Sequence, residues 1–74
     1  MEATRYTVIY ETGPASFGAY APDLPGCVSA ATTLDEVKVL MREAMADHVA
    51  ALRRRGLPVP EPTVIAEFVE VACS

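Results

Sequence analysis

Few side chains in this sequence could do chemistry, and their spacing limits what they could do. His48 is the single histidine, the residue type whose ordinary pKa lies near neutrality. It falls inside an apolar stripe, one turn from Ala44 and Leu52, while Asp47 points away from it. A catalytic histidine needs a nucleophile or an orienting carboxylate within reach. His48 therefore reads as a partly buried histidine at the edge of a core. Cys27 and Cys73 are the two cysteines. They form no CxxC pair, and one histidine cannot complete a zinc set around them. Free thiols are expected. Cys27 follows a Pro-Gly turn, and a reactive thiolate there would need a neighbouring cation or helix N-terminus. None is identifiable, so a small buried cysteine is the simpler reading. A small hydrolase using His48 or Cys27 is the enzymatic alternative. The expectation is no enzyme, no metal and no cofactor.

The charged residues are equally spare. The net charge is -4, with ten acidic side chains against six basic ones. This balance argues against a general nucleic-acid surface, which works by displacing phosphate counterions with basic residues. No direct nucleic-acid partner is expected, and a basic protein partner would suit the charge. Glu43 and Asp47 share a solvent face of a helix, and Asp35 and Glu36 belong to its first turn. Arg53, Arg54 and Arg55 close the same helix, where cations suit the carbonyl end of its dipole. Asp23, between Pro22 and Pro25, reads as a turn residue that caps a nearby amide.

The elements that must position these residues are legible from period and punctuation. The chain is 74 residues long, which allows one small domain, here taken as residues 1–74. No apolar run approaches the roughly 20 residues of a membrane span, and the N-terminus lacks signal-peptide features. A cytoplasmic protein without a membrane partner is expected. Residues 4–11 alternate, with Tyr6, Val8 and Tyr10 on one face. Thr12-Gly13-Pro14 is turn chemistry. Residues 16–21 form a second strand with Phe17, Ala19 and Ala21 on one face. The prolines of 22–26 take the chain out of the sheet, Gly26 bends it, and residues 27–30 form a short third strand. Thr33-Leu34-Asp35-Glu36 is a capping box. Leu34, Val37, Met41, Ala44, Met45, His48 and Leu52 then make one stripe of a helix over 34–55, which Gly56 and Pro58 stop. Residues 57–62 are a Pro-rich extended connector, and residues 63–71 are predicted to form a last strand. The fold class is α+β, order β-β-β-α-β, with one long helix on a small antiparallel sheet.

One string is more specific than the elements around it. Pro22-Asp23-Leu24-Pro25-Gly26-Cys27, preceded by Gly18-Ala19-Tyr20-Ala21 and followed by Val28-Ser29-Ala30 and Thr33-Leu34-Asp35-Glu36, resembles the HicB-like antitoxins. The match runs over about residues 5–70 and includes Tyr6 to Glu11 and the closing Gly56 to Pro62. The usual Gly-Asp before the helix Thr is Ala31-Thr32 here. The resemblance implies a partial ribonuclease H-like fold without the nuclease residues. It also implies a role as a protein-binding antitoxin that sterically blocks a small HicA-like toxin, a basic mRNA-cleaving protein of a type II toxin-antitoxin pair. Many members of the family carry a C-terminal DNA-binding domain. None is expected in 1–74, so repression is not carried over. The alternative is a solitary oligomeric HicB-like scaffold or ligand-binding protein without a toxin.

Self-association is a further expectation. Ile9 opposes Val8, and Ile65, Val69 and Val71 oppose Val64 and Phe68, so the strands are apolar on both faces and one helix covers one of them. Val39, Ala46 and Ala50 add a narrow apolar track on the helix's polar side, spaced for a close helix contact. A homodimer or homotetramer is expected, with residues 63–71 as the leading interface and the track as the second.

Overall fold

The three expected strands and the helix form, but the first is shorter than its alternating run, since residues 4–8 join no ladder. A computed structural model describes residues 4–73. Strand β1 is Ile9–Thr12, β2 is Phe17–Tyr20 and β3 is Val28–Ala31. They form an antiparallel sheet in the order β1-β2-β3. The hairpin between β1 and β2 is closed by the Gly13 amide donating to the Ser16 carbonyl at 2.8 Å. Register places Ile9 beside Tyr20 and Tyr20 beside Val28; Tyr10, Ala19 and Ser29 fill the next row. The two rows face opposite sides, because side chains alternate along a strand.

Helix α1, Leu34–Arg54, covers the Ala19 side. The Thr33 hydroxyl accepts from the Glu36 amide at 3.1 Å, which satisfies one of the four free donors of the first turn. At the other end Arg55 is the cap. The Gly56 amide donates to the Arg53 carbonyl and the Leu57 amide to the Leu52 carbonyl. This pair is a Schellman closure, and it requires the left-handed backbone that Gly56 adopts at φ 67°. The expected stop is thus met one residue before the expected boundary.

The core is small: Ala19, Ala21, Leu24, Cys27, Val37 and Met41. Tyr6, Val8, Phe17, Ala31, Ala44, Met45 and Val49 pack around it. The expected strand faces are met, because Tyr6 and Val8 from the first run and Phe17, Ala19 and Ala21 from the second all turn inward. Leu34, at the start of the stripe, stays largely exposed. Leu24 lies in the loop between β2 and β3, yet its side chain is 0% exposed. Pro22 and Pro25 fix the loop on either side of it, and its amide donates to the Ala21 carbonyl at 3.0 Å. The loop therefore plugs the core that lies between helix and sheet.

The last expected strand does not form. Residues 63–71 join no ladder, so the observed order is β-β-β-α with a tail. The reason lies in where the polar groups are used. The amides of Thr63 and Val64 both donate to the Asp23 side chain, and the Val64 carbonyl accepts from the Thr7 hydroxyl. At Thr63 and Val64, side chains occupy the positions that a neighbouring strand would need. Beyond Val64 a cleft of about 430 Å³ separates residues 7–10 from residues 66–68. The radius of gyration, 14.5 Å, exceeds the roughly 11 Å of a compact chain of this length, in keeping with a tail that stands off the body.

Leu24→Ala tests the plug. A fully buried leucine leaves a cavity when truncated, so unfolding in urea should show a loss of about 2–5 kcal/mol. A loss below about 0.5 kcal/mol, the range of surface substitutions, would mean that the loop lies on the surface rather than in the core.

Candidate protein-interaction surface

The family-like loop is built to hold one carboxylate in place. Its ends are joined where the Ala21 amide donates to the Cys27 carbonyl at 3.3 Å, and the Cys27 amide donates to the Leu24 carbonyl at 3.0 Å. Gly26 takes φ 84° to make the return, a backbone region that side chains with a Cβ rarely adopt. With Leu24 turned into the core, the preceding residue, Asp23, turns outward. Its Oδ1 accepts from the Thr63 hydroxyl at 2.7 Å. Its Oδ2 accepts from the Thr63 amide at 3.1 Å and from the Val64 amide at 3.2 Å. Pro60 and Pro62 have no amide hydrogen, so Thr63 and Val64 present the first pair of adjacent donors after the connector. Tyr6 fixes the connector one step earlier by donating its hydroxyl to the Pro60 carbonyl.

Asp23 therefore caps amides, as its setting suggested, but amides some forty residues away in sequence. No local signal could have identified them. The bond from the Thr63 hydroxyl, followed by those from the two amides, holds its carboxyl below the ordinary value of 3.8, with partial desolvation opposing. The ionised form is the one that accepts these bonds. The tether is at full strength above the ordinary carboxylate pKa and is lost as pH falls through the lowered one.

The residues that could carry chemistry are not assembled for it. Cys27 is in the core at 4% exposure, and burial raises its thiol pKa, which keeps it protonated at neutral pH. That removes the thiol nucleophile from the enzymatic alternative. His48 is half-buried in the helix stripe. Among the described residues no group of three or more His, Cys, Asp or Glu side chains could hold a metal ion. Among them, too, no helix is long and apolar enough to cross a membrane.

What the fold leaves open is apolar surface. On the sheet face away from the helix, Ile9, Tyr20 and Val28 form a cross-strand row, and Val28 is 65% exposed. In the tail, Ile65 is 93% exposed and Phe68 is fully so, with Val69 and Val71 mostly exposed. On the helix, Val39 and Ala46 are exposed and Ala50 is half-buried. The candidate interface residues named from the sequence thus lie on accessible surface.

Two solution measurements check this geometry. Asp23→Asn removes the anion and its strongest bonds, so limited proteolysis should cut within 60–72 several-fold faster while the helix signal in circular dichroism is kept. An unchanged cutting rate would contradict the tether. Thiol labelling of the native protein should modify Cys73 rapidly and Cys27 only after denaturant is added. Rapid labelling of both would place Cys27 outside the core.

Comparison with known proteins agrees with this reading of the fold. A solved structure described as a "HicA3 and HicB3 toxin-antitoxin complex" contains a chain that is 32% identical, with a TM-score of 0.68. The match covers 81% of this chain and 70% of that one. No curated protein sequence matches. The model of the family described as "HicB_like antitoxin of bacterial toxin-antitoxin system" matches residues 6–72, from the inward-facing Tyr6 to the exposed tail. The chain belongs to the HicB-like antitoxin family.

Proposed function

We propose that this protein is the antitoxin of a two-component pair and that it acts by binding, not by catalysis. Its partner is a small basic HicA-like toxin that cleaves mRNA, held so that RNA cannot reach it. The observation that carries this reading is membership of the HicB-like antitoxin family over 6–72. The similarity to a chain of a toxin-antitoxin complex supports it. The surface that suits the partner is the open sheet face. Ile9, Tyr20 and Val28 give it an apolar centre, and Glu11, on the same face, gives it the charge that a basic protein needs. Apolar centres with a charged rim are the common anatomy of such interfaces.

The uncovered tail favours one further reading, a self-associating HicB-like protein that serves without a toxin. The two are separated by co-expression with a HicA-like protein encoded beside the gene. Growth arrested by that protein should be restored by this chain, and the two should purify as one complex. Val28→Asp should weaken the complex roughly tenfold or more if the open face is the interface, with circular dichroism unchanged. Arrest that persists beside well-expressed antitoxin, or the absence of any small basic companion on a tagged chain from the native host, would contradict the toxin reading.

A further inference from the structure

The helix does not reach across the whole sheet. It packs against β3 and β2, and no comparable packing joins it to β1. On that side a groove of about 600 Å³ runs between the helix and residues 4–10. Val8, Met41 and Met45 form its apolar floor, and Arg5, Lys38 and Arg42 stand around it. Among the described residues no acidic side chain lines it. In a chain of net charge -4, three of the six basic residues are thus gathered at one concave site. Lys38 and Arg42 stand one helical turn apart on the same wall. Arg5 stands on the opposite wall. The Lys38 ammonium also lies 6.0 Å from the centre of the Tyr10 ring, a cation–π distance.

The tail is the counterpart of this groove in charge. After Arg55 the sequence holds Glu61, Glu67 and Glu70 and no lysine or arginine. Between and around Glu67 and Glu70 stand the uncovered Phe68, Val69 and Val71. In an extended chain residues 67 and 70 point to opposite sides, so each wall of a basic groove would receive one carboxylate. Asp23 and Thr7 hold a protomer's own Thr63 and Val64, and beyond them its tail faces residues 7–10 across a cleft. Among the described residues none of the tail lines the basic groove.

We propose that residues 65–71 of one protomer lie in the Arg5–Lys38–Arg42 groove of a second copy, reciprocally, in a two-fold symmetric dimer. Exchange of identical segments is a low-cost route to such a closed assembly. Glu67 pairs with one basic wall and Glu70 with the other. This inference stands independently of the toxin reading.

The experiment is sedimentation equilibrium on the full chain at micromolar concentration, with charge reversal on each side. The wild type should run at twice the 7.9 kDa of one chain, and added salt should weaken the dimer. Lys38→Glu with Arg42→Glu should weaken it roughly tenfold or more, and so should Glu67→Lys with Glu70→Lys. Mixing the two reversed proteins restores complementarity in both grooves, so it should restore the dimer, which a merely misfolded variant could not do. A monomeric wild type would overturn the proposal. A dimer that ignores both reversals, or a mixture that stays monomeric, would overturn it as well.

Discussion

The contact on which the chain's arrangement turns is the Asp23 carboxylate receiving three donors from Thr63 and Val64. A 74-residue chain has little core with which to fix its ends. Here a surface side chain does so by satisfying backbone amides that would otherwise seek a ladder. The loop that carries Asp23 is itself fixed because Leu24, its neighbour, is buried without exposure. One residue faces the core and the next faces the tail, so core packing and tail position are joined within two positions of sequence. The Pro-rich connector narrows the choice further, since Pro58, Pro60 and Pro62 cannot compete as donors.

Coverage of the sheet is the second constraint. A helix of 21 residues, roughly 31 Å long, is ample in length, but its width spans about two strands of this sheet. The face turned away from it keeps Ile9, Tyr20 and Val28, and the near face keeps a groove beside β1. An isolated chain would keep both surfaces wet, and antiparallel sheets tolerate water on one side. The apolar row with Glu11 is the surface proposed for a basic partner, and the basic groove the one proposed for the tail of a second copy. The two lie on different faces, so one molecule has room for both.

Much of this was legible in the sequence because local chemistry decides it. Thr33 and Gly56 mark the helix ends, Phe17, Ala19 and Ala21 mark the inner face of β2, and Gly26 marks the return of the loop. The buried state of Cys27 followed from the lack of any activating group nearby. The misses share one cause, which is dependence on distant partners. The alternation of residues 63–71 is real, but whether it becomes a strand depends on free edge groups, and Asp23 and Thr7 had taken those positions. Leu24 lies among turn residues, and burial is not visible from such neighbours. Arg5 is more than thirty positions from Lys38 and Arg42, and they share a groove because the helix stops short of β1. The Tyr6, Val8 and Tyr10 alternation was the available sign, since it asks for more cover than one helix gives.

The tether can be read directly by an NMR titration of the wild-type protein. Backbone amide shifts of Thr63 and Val64 should move together as pH is lowered, with an apparent pKa below the ordinary 3.8 of an aspartate. Both should lose their protection from exchange over the same range, since protonation removes the acceptor that holds them. Amides that do not respond, or that respond at or above the ordinary value, would contradict the claim that Asp23 holds the tail.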